Sequence, residues 1–486
     1  MSGTPPSTSP STEPALGDRA IRNVALVLGA RTGSRLVALV TWIAVANFLG
    51  DARFGQVQTL LSYVTIVLVL TDFGLASVFT LDAARRPRDL ERYLSAALSL
   101  KAGLTLLGLV MLVLLLNIPD LGALALPGAA FLVSSGYSSL LRSTFYIRGQ
   151  LRHEAVAILL EALVVMSLVL TGVLLRLDIG FFVWALVVGT ACGGVYSAVA
   201  LARLQLLRLA WTFDASFLSG WVLAGLPFAI SFVLSHVYWK IDVPLLQFFR
   251  SYREVGWYAF AYKPFEALLF IPAAIVQVAF PIMALQFQDP RQRFIEGYQH
   301  LYRALLAIGY PLTIGTALLA HGIVQTLHLY PQSEPALQIL ALGIVFMFVN
   351  NAFVAALNVS GGQTLLVGGM AAILGLNVAM NLLLIPPLGY LGAAWATVVS
   401  EFGLALVGWY LLGRQSHRLG WFGLSWRILL AGVPLFAVLW PFRAATGWHL
   451  VAATLLGSAV YLAGVLALQA ISREELSIVA RALRRR

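Results

Sequence analysis

The stretch SHVYWKIDVPLLQFF, residues 235–249, sets a histidine, a lysine, an aspartate and a proline inside a run that otherwise reads as lipid-facing. A bilayer tolerates these residue types least, so the surroundings have to account for them. Of 486 residues, 60% are hydrophobic and 11% charged, where a soluble domain would carry about a quarter charged. Apolar runs long enough to cross a membrane recur along the whole chain. Fourteen spans are expected, beginning with 20–48 and 54–81, with 217–249 and 255–285 as the seventh and eighth and 447–471 as the last. This is the pattern of an all-α polytopic membrane protein, and the quoted stretch closes its seventh span.

An even number of spans puts both termini on one side. Twenty Lys and Arg residues fall on the connections and tails of that side, among them Arg85, Arg86, Arg88 and Arg92 and five in the C-terminal tail. The opposite side holds five: Arg53, Arg176, Arg250, Arg253 and Arg443. Cytoplasmic loops collect Lys and Arg, so both termini are expected in the cytoplasm. The net charge of +11 therefore reflects membrane orientation and does not point to nucleic acid. Residues 1–18, rich in Pro, Ser and Thr, read as a disordered tail without the features of a signal peptide. Cys192 has no partner for an intrachain disulfide and reads as a packing residue.

Four positive charges lie deep in spans: Arg31, Arg35, Lys240 and Lys263. Arg31 is about 11 residues into its span, roughly 16 Å along a helix and near the middle of a hydrocarbon core about 30 Å thick. Arg35, four residues on, shares its face. Each either pairs with an interior carboxylate and holds helices together or lines a hydrated, cationic cavity. In the quoted stretch His236 and Lys240 share a helical face, whereas Lys240 and Asp242, two apart, point different ways. Pro244 removes the backbone bond to residue 240 and is expected to kink the helix there. Lys263 and Glu266 form an i,i+3 pair in the next span. A network pairing Asp242 with Lys263 and Glu266 with Lys240, or the reverse, is expected. It either serves structure or titrates and couples transport to ions.

Asp72 fits pairing with Arg22 or a helix cap better than a transport role. Asn350, Asn351, Asn358, Asn377 and Asn381 give the later spans a polar face, which either bonds helices together or lines a sugar-binding cavity. Asn350 and Asn351 are the candidates for the second role. No Gly-rich loop ending in Gly-Lys-Ser/Thr occurs, so ATP is not the direct energy source. The longest outer connection, 321–334, offers His321, His328 and Glu334 but little else, which disfavours an enzyme.

The chain also repeats itself. ANFLGDARFGQVQTLLSY (46–63) matches LQFFRSYREVGWYAFAY (246–262), pairing Phe48 with Phe248 and Gly55 with Gly256. Six spans separate the copies, so both run the same way. The expected organisation is a first lobe at 19–205, a second at 206–415, two further helices at 416–471 and a basic tail at 472–486. Transporters built from repeats place their site between the lobes near the bilayer midplane.

Several motifs carry a family resemblance. NVAMNLLLIPPLGYLGAAWATVVSE (377–401), KIDVPLLQFFRSYREVGWYAFAYKPFEAL (240–268), FLGDARFGQ (48–56) and TDFGLAS (71–77) together resemble polysaccharide flippases of the Wzx type. These are the O-antigen and capsule branch of the multidrug/oligosaccharidyl-lipid/polysaccharide (MOP) superfamily. The resemblance implies a V-shaped, two-lobe transporter, with no catalytic or metal site, in a prokaryotic cytoplasmic (inner) membrane. It would move a polyprenyl-diphosphate-linked oligosaccharide from the inner to the outer leaflet, among membrane lipids and beside polysaccharide polymerase and assembly proteins. The resemblance places Arg31 and Arg35 on the cavity face, and Asp242, Lys263 and Glu266 on recurrent charged positions. No cofactor is implied beyond a coupling ion, H+ or Na+. A lipid II flippase and a MATE-like small-molecule antiporter of the same fold are the alternatives. The antiporter would favour carboxylates where Arg31 and Arg35 stand.

Overall fold

The computed structural model describes residues 13–72, 74–75, 79, 90–117, 119–147, 149–205, 230, 232–288, 291–328, 330–415 and 420–470. Among the described residues all regular structure is helical, and twelve helices are long and apolar enough to cross a membrane. In a first lobe, α1 (Glu13–Asp72), α2 (Leu90–Leu116), α3 (Ala125–Ile147), α4 (Leu151–Leu174) and α5 (Ile179–Arg203) pack on one another. A second lobe comprises α6 (Asp242–Phe249), α7 (Tyr252–Leu268), α8 (Phe270–Gln288), α9 (Arg291–Leu318), α10 (Ala320–Thr326), α11 (Ser333–Val359), α12 (Gln363–Leu388) and α13 (Tyr390–Arg414). Within it α11 is central, packed against α7, α9 and α13. Two further helices, α14 (Trp421–Leu439) and α15 (Gly447–Ala467), pack together and onto α9. Leu106, Leu107, Leu114, Leu174 and Leu383 are exposed along these helices, as lipid-facing side chains must be.

Helix α1 holds the first two expected spans as two arms. Gly50 joins them with φ 74°, a left-handed backbone that costs glycine nothing and other residues a steric clash. The helix begins at Glu13, inside the tail expected at 1–18, because Glu13 and Pro14 suit a first helical turn. Residues 1–12, the C-terminal tail 472–486 and several basic connections, including Arg85, Arg86, Arg88, Arg148, Arg208 and Arg418, lie outside the described residues. The seventh expected span, 217–249, is described only from residue 230. Its helical residues 232–238 give way to a turn at 239–241, and α6 restarts the helix at Asp242. Pro244 is the third residue of α6, where a missing N–H leaves no helical bond unmade. The break therefore precedes the proline instead of sitting on it.

The lobes meet where α1 crosses α7, at the two glycines that the repeat matches. A Cβ on Gly55 would lie 1.9 Å from the Tyr252 carbonyl oxygen, and one on Gly256 would lie 2.1 Å from that of Asp51. Only two bare backbones can approach so closely. Phe54, Phe260 and Tyr330 cluster beside the crossing, with ring centroids 5.9 Å apart for Phe54–Phe260 and for Phe260–Tyr330. Three hydrogen bonds tie the lobes on the same face. The Trp257 indole donates to Asp51 Oδ2 at 3.0 Å, the Tyr330 hydroxyl to the Ala46 carbonyl at 2.5 Å, and Asn47 Nδ2 to the Leu327 carbonyl at 3.2 Å. Tyr330 lies in a turn outside the spans. Burial, then the Asp51 carboxylate, pushes its hydroxyl pKa up, so it stays a donor. This face, carrying the turns near residues 50, 251 and 330, is closed.

The glycine crossing yields a test. Gly256→Val overpacks it and is expected to destabilise the closed arrangement by about 1–3 kcal/mol. Spin labels at Arg53 and Arg253, on opposite lobes, should then report a longer and broader distance distribution. An unchanged distribution would mean that the crossing does not hold the lobes together.

Candidate functional site

A cavity of about 390 Å³ opens between the lobes. Arg35, Trp42 and Gln58 line it from the two arms of α1, Lys240 from the broken seventh span, and Lys263 and Glu266 from α7. Arg35 and Trp42 are seven apart, two helical turns, and so share a face. A second cavity of about 280 Å³ inside the first lobe shares Arg35, Ala38, Trp42 and Leu186 with the first and adds Arg142 and Glu161. Shared walls make the two spaces neighbours along one path.

The electrostatics are lopsided. Glu266 accepts from Lys263 Nζ at 3.2 Å and from Lys240 Nζ at 3.4 Å. Lys263 also lies over the Trp42 ring, 5.0 Å from its centroid. Arg35 is exposed to the cavity and makes no ion pair among the described residues. Three cations thus face one carboxylate, leaving two positive charges in excess. Partly desolvated guanidinium and ammonium groups so arranged bind phosphate oxygens, the guanidinium in a bidentate way.

The expected pairing of Asp242 with a lysine is not formed. Asp242 Oδ2 accepts from the Tyr258 hydroxyl at 2.8 Å and from Thr397 Oγ1 at 2.9 Å, and Oδ1 accepts from Asn381 Nδ2 at 2.8 Å. The turn at 239–241 explains the separation. Lys240 ends on the cavity side of the break, while Asp242 starts α6 and faces the interior of the second lobe. Asn377 completes this cluster, its side-chain oxygen accepting from Asn381 at 3.0 Å. The Asn381 side-chain oxygen is buried without a donor. A carboxylate ringed by hydroxyl and amide oxygens can hold a small hard cation. Among the described residues no three His, Cys, Asp or Glu side chains converge as a transition-metal site would require.

The other candidates sort as follows. Asn350 does not line either cavity: its Nδ2 donates to Glu401 Oε2 at 2.8 Å and to the Glu401 carbonyl at 3.0 Å. Asn351 donates to the Met347 carbonyl of its own helix at 2.9 Å. Asn350 thus bonds two helices together, while Asn351 bonds within its own. His236 is exposed, stacks near Phe232 and bonds the Phe232 carbonyl, apart from Lys240. Asp72 pairs with Lys101 of α2 at 2.7 Å, and Lys101 is 1% exposed; the side chain of Arg22, its expected partner, lies outside what the structure describes. Arg31 lines neither cavity. It bonds Glu154 of α4 at 3.0 Å and the Tyr146 hydroxyl, which itself donates to Glu154 at 2.8 Å. Arg142 pairs with Glu161 at the edge of the smaller cavity.

The sequence placed Lys101 in the first third of its span without a partner, and offered Glu161 and Glu401 as isolated carboxylates, either of them a candidate coupling site, with nothing to single one out. Glu401 is 2% exposed and also accepts from the Tyr238 hydroxyl at 3.0 Å. Their depth in apolar runs was the available signal. A larger cavity, about 680 Å³, lies between α9, α14 and α15. Its walls are mostly apolar, with Arg303 the charged residue among its lining.

Known proteins bear on this arrangement. The family model described as "Polysaccharide biosynthesis protein" matches residues 20–286. Lipid II flippase MurJ in an inward closed conformation superposes with a TM-score of 0.73 at 13% identity, covering 90% of this chain and 98% of that one. An inward-facing multidrug resistance MATE family transporter of the MOP superfamily gives 0.61 at 14% identity, covering 79% and 94%. A MOP superfamily transporter from Pyrococcus furiosus, described as having a binding pocket of reverse polarity, gives 0.57 at 13%, covering 82% and 95%. At these identities the likeness is one of fold. No curated protein matches by sequence.

The buried pair tests the structural side of this sorting. Lys101→Met leaves Asp72 with an uncompensated charge and should cost ~3–5 kcal/mol. Replacing both, with Asp72→Leu added, should recover most of the loss in thermal unfolding. A single variant as stable as the wild type would show that the pair contributes nothing.

Proposed function

Because the chain belongs to the polysaccharide biosynthesis protein family, we propose that it is a flippase for lipid-linked oligosaccharides, working by alternating access through the cavity between its lobes. The observation that carries this reading is the surplus of positive charge around Arg35, Lys240 and Lys263 in that cavity. A diphosphate linking sugar to a polyprenyl chain suits it, the anion in the cavity and the chain in lipid. With both termini in the cytoplasm, the closed face is the outer one, so the cavity awaits a headgroup from the inner leaflet. Oligosaccharide delivered outside would pass to a polymerase and its assembly partners.

Transport against a gradient needs a driving ion. The Asp242 cluster is the candidate for Na+ or H+, because its buried carboxylate meets only hydroxyl and amide groups and the Asn381 side-chain oxygen has no donor. Binding there would act on α6, which follows the break beside Lys240. A drug antiporter of the same fold, whose substrates are often cationic, fits poorly with two unneutralised positive charges. Lipid II shares the diphosphate, so its flippase remains the nearer alternative and belongs in the same experiment.

The test is headgroup exposure in proteoliposomes carrying either a polyprenyl-diphosphate-linked oligosaccharide or lipid II. Arg35→Ala should lower the rate about 10- to 100-fold, the loss of one charge-assisted bond of about 1.5–3 kcal/mol. Arg31→Ala should act mainly on stability, since its pair lies off the cavity. Wild-type rates in Arg35→Ala would make that arginine dispensable and remove the basis of the reading. Preference for lipid II would transfer it to that substrate. Separately, Asp242→Asn should abolish any stimulation by a Na+ gradient while leaving the protein folded. Stimulation that survives would place the coupling ion elsewhere.

A further inference from the structure

Glu401 has no part in the reading above, yet its surroundings are unusual for a carboxylate. Tyr238 and Asn350 are its side-chain partners, both neutral. The elements packed on α13 are α11, α12, α7 and α6. Their ionisable groups are engaged elsewhere. On α7, Lys263 and Glu266 face the cavity, Tyr258 bonds Asp242, and Glu254 takes the Tyr390 amide. On α11, Glu334 pairs with His321, and α12 carries no Asp, Glu, Lys, Arg or His. Asp242 reaches Glu401 only through its field, which has the same sign. Among the described residues no cation compensates Glu401, and a lone buried charge in a membrane span is strongly disfavoured.

A second observation points to what is missing. Asn350 offers its amide nitrogen to Glu401, and its own side-chain oxygen is buried with no donor. A carboxylate can only accept; a carboxylic acid adds one O–H donor to this pocket. A metal cation suits the place less than it suits Asp242, because the carboxylate here has fewer oxygen-bearing side chains around it.

We propose that Glu401 is a proton-binding site, distinct from Asp242, which holds one proton in the closed conformation and releases it as the seventh span moves. The proposal rests on the transport reading for its cycle, though not for the protonation itself. Tyr238 ties Glu401 to the segment just before the turn at 239–241, and Lys240 stands two residues on, at the cavity. When that segment swings away and water enters, the acid O–H bond breaks, leaving Glu401 as carboxylate and the proton on water. Return of the segment expels water and requires a proton back. Headgroup movement past Lys240 and proton exchange at Glu401 are thereby linked through one stretch of chain.

Infrared spectra of the closed protein at neutral pH test the site directly. The protonated-carboxyl stretch expected in wild type should vanish in Glu401→Gln and persist in Asp242→Asn. Its absence from wild type overturns the proposal. Should Glu401→Gln fail to fold, dicyclohexylcarbodiimide on the wild type replaces it, since this reagent modifies protonated carboxyls in apolar surroundings. An adduct mapped to Glu401 is expected, and none would overturn the proposal. In proteoliposomes, flipping by wild type should vary with pH and that by Glu401→Gln should not. An unchanged pH profile in the variant overturns the coupling. A wild type that shows the carboxyl band but flips no lipid-linked sugar would sink the flippase reading and leave the proton site standing.

Discussion

The cost of an uncompensated charge in hydrocarbon governs this molecule. Lys101 with Asp72, Arg142 with Glu161 and Arg31 with Glu154 each meet it by pairing, and each pair joins two helices of the first lobe. Once these are closed, the remaining charges stand out. Arg35 has no carboxylate, and Glu266 is divided between two lysines. Such groups persist in a span only where water or a charged solute reaches them. The packed pairs therefore define the scaffold, and the surplus defines the path.

Carboxylates are handled in two ways. In the first, Asp72, Glu154, Glu161 and Glu266 meet Lys or Arg. In the second, Asp242 and Glu401 meet Tyr, Thr and Asn, whose hydroxyls and amides donate without neutralising. Ion pairs fix helices firmly. Neutral donors leave a site whose charge can change, provided that a cation or proton arrives with each change of access.

Much of this was readable from sequence. Apolar length gave the spans, and the spacing of Lys240 and Asp242 already required opposite directions. The matched Gly55 and Gly256 marked a common place in two copies, though not that the copies touch there. The pairings were less legible, because they depend on how each helix is rotated about its axis. For Asp72 the sequence suggested Arg22 or a helix cap, whereas its carboxylate meets Lys101 of the next helix, a partner fixed by how α1 and α2 are rotated against each other. Asn350 and Asn351 looked like cavity lining because a polar face is equally good at bonding a neighbouring helix. Asp242 was matched to a lysine by charge alone, and burial gave it neutral partners instead.

The crossing of α1 and α7 has a mechanical consequence. With no side chains interdigitating between them, the two backbones can tilt against each other at this point with little repacking. The contact is a fulcrum near one end of two levers. A span of about 20 residues is roughly 30 Å long, so a tilt of about 10° there moves the far ends apart by roughly 5 Å. The sugar headgroup of the proposed substrate needs a gap of that order. Small residues at the pivot thus convert a slight rocking, cheap in packing, into a wide aperture at the opposite membrane surface.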